Sequence, residues 1–284
     1  MWLIGSLPAW AHDRETKEVA MKKISLFIGL FLAALSLKPF ARAQTNGEPV
    51  ASTRAADDRA LLSAVGSLAD AYLLQTRQTL AILARTAEVQ AGRWERMAWL
   101  VKASVPPMLP QVLWFAQPDG TYYTSAGELA GQKLSDRGYF PKLMAGEAVC
   151  GELVVSKSTG KKSVIIAEPV KKDGRVVGGI GASIFVDDLS QLLNERLKLP
   201  AGSLFYALTA DGVTAFHIDP KLDFVDPRQL QNPSLSKAVE TILGRTAGEV
   251  TYEFNGVPRR VAFNTSALTG WRVAFGRVLP QARE

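Results

Sequence analysis

Leu204-Phe205-Tyr206-Ala207-Leu208, then Asp211-Gly212, then Val213-Thr214-Ala215-Phe216-His217, is the stretch whose reading decides the fold. Two apolar, aromatic-rich runs joined by an Asp-Gly corner read as a β-hairpin, because that dipeptide takes up the left-handed backbone a tight turn needs. The same order stands earlier in the chain. Val112-Leu113-Trp114-Phe115-Ala116 is followed by Asp119-Gly120 and by Thr121-Tyr122-Tyr123-Thr124.

Each hairpin is followed by a helical stretch and three further strand-like runs. In the first copy these are residues 139–145, then 152–156, 163–170 and 176–185; in the second they are 235–243, then 248–254, 260–264 and 269–275. A short helix over 187–199 closes the first copy. This repeat predicts an α+β chain with two modules of antiparallel sheet, one over residues 106–199 and one over 200–280.

Upstream, Leu61, Val65, Leu68, Tyr72, Leu83, Trp94, Met97 and Val101 recur at helical spacing with no proline until Pro106-Pro107. The spacing predicts a long amphipathic helix over 55–105, or two helices nearly in line. If continuous it is about 70 Å long at 1.5 Å per residue, so it runs past both modules or pairs with a second chain. Its heptad pattern holds from Leu61 to Tyr72 and then weakens, which favours packing on its own modules over a long coiled coil. A homodimer through this helix remains an expectation to test.

From Met21 the chain reads Met-Lys-Lys, an apolar run from Ile24 to Leu37, and Ala41-Arg42-Ala43. A basic start, a short apolar core and a small-x-small ending make a secretory signal peptide over 21–43, cleaved after Ala43. The apolar run is short for a span, which needs about 20 residues. Residues 1–20 do not fit such a signal and are read as an over-extended start, and 44–54 as a polar linker. The mature protein is therefore expected in the periplasm.

Composition narrows the chemistry. The 284 residues carry a net charge of +6, with 47% hydrophobic and 21% charged residues, which suits a globular chain. Basic residues alternate with acidic ones rather than clustering, so a nucleic-acid surface is not expected. Cys150 is the single cysteine, which rules out an intramolecular disulfide, and His12 and His217 are the two histidines. A metal site at His217 with Asp219 and Asp223 is the weaker reading of a turn histidine. Gly-x-Ser-x-Gly, His-Glu-x-x-His and P-loop motifs are absent, so neither an enzyme nor a cofactor is expected.

The segment Ser135-Asp136-Arg137-Gly138-Tyr139-Phe140 carries the remaining signal. An arginine fork grips a carboxylate through two parallel hydrogen bonds, and adjacent rings desolvate the pair. The alternative is a structural arginine paired with Asp136 or Asp173, beside core aromatics.

With the Asp-Gly corners, Asp136-Arg137-Gly138-Tyr139-Phe140, Glu168-Pro169-Val170, Gly178-Gly179-Ile180-Gly181, His217-Ile218-Asp219-Pro220 and Thr269-Gly270-Trp271 in this order, the chain resembles the double Cache (dCache) domain over residues 55–280. That is the PAS-like sensor of bacterial chemoreceptors and sensor kinases. The resemblance implies a long helix beside a distal module, 106–199, and a proximal one, 200–280, with the ligand in the distal module. Members that bind amino acids carry Arg-x-Trp-Tyr, onto which Arg137-Gly138-Tyr139-Phe140 falls. The family's aspartate for the ligand amine is Ser183 here, and a tyrosine of the family's pattern is Gln132. These departures point to a carboxylate or related small anion rather than an amino acid. The expected ligand-binding residues are Arg137, Tyr139, Phe140, Tyr123, Trp114 and Ser183. The expected function is periplasmic sensing in signal transduction and chemotaxis, through a membrane-bound receptor or sensor kinase. The alternative is a structural or interaction module with a vestigial pocket.

Overall fold

The computed structural model describes residues 49–127 and 129–279. The expected leader over 21–43, the stretch 1–20 and most of the linker lie outside the described residues. Helix α1 spans Pro49–Leu83, 35 residues, and so begins inside the segment expected to be linker. Leu62, Val65, Ala69, Leu73 and Leu80 are buried along one face of it, the three- and four-residue spacing of an amphipathic helix.

The long helix expected over 55–105, or two nearly in line, is three helices in the structure. After Leu83 the chain turns, α2 covers Ala87–Gln90 and α3 covers Trp94–Ala103. The break has local causes: Thr86 is extended and caps α2 by accepting the Val89 N–H at 3.4 Å, and Gly92 turns the chain at φ +68°. The continuous part of α1 is therefore about 50 Å long rather than about 70 Å.

The first sheet has six strands: β1 (Gln111–Ala116), β2 (Thr121–Thr124), β3 (Leu129–Lys133), β4 (Val149–Val155), β5 (Lys162–Lys172) and β6 (Arg175–Phe185). Their order is β3-β2-β1-β6-β5-β4, and every pair is antiparallel. Helix α4 (Phe140–Met144) lies between β3 and β4, and α5 (Val186–Leu197) leads out of the sheet.

The second sheet holds β7 (Ser203–Leu208), β8 (Thr214–His217), β9 (Ala247–Phe254), β10 (Val257–Thr265) and β11 (Arg272–Val278), with α6 (Pro233–Leu243) before β9. Its order is β8-β7-β11-β10-β9, also antiparallel. Both sheets share one plan, a hairpin, a helix, and a three-stranded meander whose last strand returns beside the first. The chain is thus α+β with two PAS-like modules, and β3 is an addition to the first. Both corner glycines need their lack of a side chain, with φ +86° at Gly120 and +93° at Gly212.

Helix α1 packs on β5 and β6 of the first sheet and on β10 and β11 of the second. Since side chains alternate across a strand, each sheet has a second buried face. In the first, Leu113 and Phe115 join the α1 core while Trp114 and Ala116 join a separate cluster with Tyr139, Phe140 and Leu143. In the second, Phe205 and Phe275 face α1, whereas Tyr206, Tyr252 and Val261 pack beneath α6. Ion pairs tie α1 to both sheets: Arg77 to Glu168 at 3.0 Å and Asp58 to Arg277 at 2.7 Å.

Candidate functional site

The outer face of the first sheet and the segment entering α4 enclose a narrow cleft of about 10 Å³ lined by Trp114, Tyr122, Arg137, Tyr139, Lys157 and Ser183, among others. Tight turns shape its rim, where the Arg137 N–H donates to the Leu134 carbonyl and the Phe140 N–H to the Arg137 carbonyl, both at 2.9 Å. Arg137 does not pair with its neighbour. Asp136 is held instead by Lys157, whose Nζ donates to both carboxylate oxygens at 2.6 and 2.7 Å and to the Lys133 carbonyl at 2.6 Å. These charge-assisted bonds hold the Asp136 carboxyl below its ordinary range.

The Arg137 guanidinium donates through Nη2 to the Val155 carbonyl at 2.6 Å. Among the described residues no carboxylate forms an ion pair with it. Tyr139 is buried and its ring tilts against Trp114 with centroids 6.4 Å apart. Burial pushes the Tyr139 hydroxyl far up, so it stays a neutral donor. Tyr122 is likewise raised by burial, against a hydrogen bond with Ser158 that lowers it.

Four of the six residues singled out from sequence therefore meet here: Trp114, Arg137, Tyr139 and Ser183. Phe140 lies beneath them in the apolar cluster with Leu143 and does not line the cleft. Tyr123 faces the other way and stacks on Trp94, with centroids 5.4 Å apart and planes 10° apart. The register puts Ala116 opposite Tyr122 and Trp114 opposite Thr124, so Tyr122 shares the cleft face. Tyr122, Lys157 and Ser158 were missed; strand parity counted from Trp114 is the signal that finds Tyr122.

Elsewhere, His217 Nδ1 accepts the Asp219 backbone N–H at 2.7 Å. Among the described residues no three His, Cys, Asp or Glu side chains gather to hold a metal ion. Among them, too, no helix is long and apolar enough to cross a membrane.

Neither a family model nor a curated protein matches the sequence. Solved structures do match in fold. An extracellular ligand-binding receptor from Desulfohalobium retbaense is 14% identical with a TM-score of 0.63, over 78% of this chain and 40% of that one. The chain thus spans two fifths of that receptor. The sensory domain of the Campylobacter jejuni chemoreceptor Tlp3, solved with isoleucine bound, is 12% identical with a TM-score of 0.57, over 80% of this chain and 94% of that one. The ligand-binding domain of the Pseudomonas fluorescens chemoreceptor CtaA, solved with L-serine, is 14% identical with a TM-score of 0.60, over 80% and 96%. With its N-terminal helix laid along two antiparallel sheets of one plan, the chain has the double Cache fold.

Proposed function

We propose that the chain is a sensory ligand-binding module, not a catalyst, and that its first module binds a small organic anion between Arg137 and the outer face of β1 and β6. The observation that carries this is the state of Arg137, a cation at the cleft whose sole hydrogen bond to a described residue is to a backbone carbonyl. Such a group gains most from a carboxylate, which accepts two parallel hydrogen bonds from the fork. Tyr122, Tyr139 and Ser183 supply hydroxyls around the same space.

The structural neighbours solved with isoleucine and with L-serine support sensing of small molecules. In this chain no aspartate or glutamate lines the cleft, so an ammonium group would enter without a counter-charge. A compact carboxylate fits the lining better than an amino acid. Signalling then passes to a membrane-bound receptor or kinase, and the secretory leader read from the sequence over 21–43 supports a periplasmic location. A thermal-shift screen of small carboxylates against amino acids, run on the protein and on Arg137→Ala, tests this reading.

A second reading, an interaction module with a closed pocket, draws on one feature. Trp114 narrows the cleft to about 10 Å³, far below the roughly 300–1,000 Å³ usual for ligand pockets. On that reading no small anion shifts the melting point through Arg137.

A further inference from the structure

The junction between the two modules holds a carboxyl group that the first cleft does not use. Asp223 follows the 3-10 turn Pro220–Leu222 of the second module and is fully buried, at 0% exposed. Among the described residues no lysine or arginine hydrogen-bonds to either of its carboxyl oxygens. Its close neighbours are the Asp187 carboxyl, in the first turn of α5, and the His217 backbone. We propose that Asp187 and Asp223 form a proton-operated latch between the modules, closed while they share one proton and weakened when that proton leaves.

The surroundings of the pair make the proton decisive. Helix α5 packs on α1, β5 and β6, and also on β8 of the second sheet. Two facing carboxylates repel, whereas a carboxylic acid donates to a carboxylate, so one proton turns the contact from repulsion into a hydrogen bond. Among the described residues the cation that faces Asp223 is Lys162, at the start of β5. Its ammonium is already engaged: Nζ donates to the Asp223 backbone carbonyl at 2.6 Å and lies 5.8 Å from the Phe224 ring centroid. Lys161, one residue earlier, goes to Asp188 at 3.7 Å instead. Asp187 is itself exposed, which gives the proton a way in and out.

The backbone beside the latch is poised to move. Phe224 is held at φ +63°, a left-handed conformation that a bulky side chain rarely adopts. Two hydrogen bonds to β8 keep it there: the Phe224 N–H donates to the Thr214 carbonyl at 2.8 Å, and the Thr214 N–H to the Val225 carbonyl at 2.9 Å. An ionised Asp223 works against this arrangement, and release of the turn relaxes Phe224.

Burial, and then Asp187, push the closed Asp223 carboxyl up to about 7. Once the turn lifts, the group is in water with an ordinary pKa, so the closed latch loses stability as pH rises from about 4 to 7 and no further above that. The His217 ring stacks on Tyr206 on the other face of the second sheet, beneath α6, so its own titration does not enter. Protons thereby act on the contact between modules whether or not a ligand binds at Arg137.

The test is hydrogen exchange of the Thr214 and Phe224 amides, followed by NMR on the whole protein from pH 4 to 8 and corrected for the chemical exchange rate, with amides of β10 as reference. In the wild type, protection is expected to fall by up to about tenfold per pH unit as far as pH 7 and then to level off. Asp223→Asn, which can still donate to Asp187, is expected to keep full protection throughout. Asp187→Asn removes the repelling charge, so the fall is smaller and levels off below pH 7. Arg137→Ala leaves the profile unchanged, which separates the latch from ligand binding in the first module. If Asp223→Asn does not fold, Asp187→Asn, at an exposed position, decides. Flat protection in the wild type, a fall that survives Asp223→Asn, an unaltered profile in Asp187→Asn, or an equal fall in β10, which means that the whole module opens, would overturn the proposal.

Discussion

The ring of Trp114 lies across Gly181 on the neighbouring strand, in the volume that a side chain at position 181 would occupy. The glycine on β6 and the tryptophan on β1 are thus one packing unit, and together they set the depth of the first cleft. Gly181→Ala forces Trp114 out of place. Its expected cost is about 1–3 kcal/mol, the range for overpacking a core, measured as a lowered urea midpoint with an unchanged slope. A midpoint within error of the wild type would mean that the ring has room to move.

Arg137 makes one hydrogen bond to a backbone carbonyl at a partly exposed position. Arg137→Ala is therefore expected to cost no more than about 1 kcal/mol of stability. The ligand-induced rise in melting temperature should disappear in this variant. A saturating ligand at 100 times its dissociation constant stabilises the wild type by about 2.7 kcal/mol. Stabilisation that persists in full without Arg137 would move the anion elsewhere.

Asp58 anchors α1 to the second sheet through Arg277 and, at longer range, Arg260. It is buried while both arginines are partly exposed, so solvent screens part of the pair. Asp58→Ala is expected to destabilise by about 2 kcal/mol, because removing one partner leaves the other charges beside apolar surface. The double variant with Arg277→Met should recover part of that loss, and strict additivity in the cycle would argue against a direct pair.

Two buried groups give stability opposite dependences on pH. Burial first, and then the nearby Asp187, push Asp223 up to about 7; burial lowers His217 to about 4. Between pH 4 and 7 the folded state holds a proton on Asp223 that the unfolded chain has lost, so this contribution falls as pH rises. Between pH 4 and 6.5 the unfolded chain holds a proton on His217 that the folded state lacks, so that contribution rises with pH. The two oppose each other. Asp223→Asn should uncover a rise in stability from pH 4 to 6.5, and His217→Gln a fall from pH 4 to 7, each with a limiting slope of about 1.4 kcal/mol per pH unit. Parallel pH profiles for the two variants would contradict this assignment.

Much of the architecture could be read locally. The Asp-Gly corners at Gly120 and Gly212, the alternation of β7, and the helical spacing from Leu61 to Tyr72 each depend on a few adjacent residues, so the repeat of two modules was legible. The end of α1 was not, although its marks, Thr86 as a cap and Gly92 as a turn, lie in the sequence. Unbroken apolar spacing through Trp94 and Met97 concealed them, because those side chains belong to the same core although they lie on a different helix. Strand β3, short and largely exposed, carries no apolar alternation to reveal it.

What the sequence by itself determined about this protein is the α+β repeat, the antiparallel hairpins and the proximity of Arg137 to Tyr139, since all follow from neighbours along the chain. What only the tertiary structure decided is which face each side chain takes. Tyr122 lines the first cleft while Tyr123 stacks on Trp94; Arg260 turns toward Asp58 while Arg259, one position earlier, lies over the Phe254 ring. The reason is the two-residue period of a strand. A step of one position exchanges core for cavity, and pairing across the sheet sets which of the two a given residue meets.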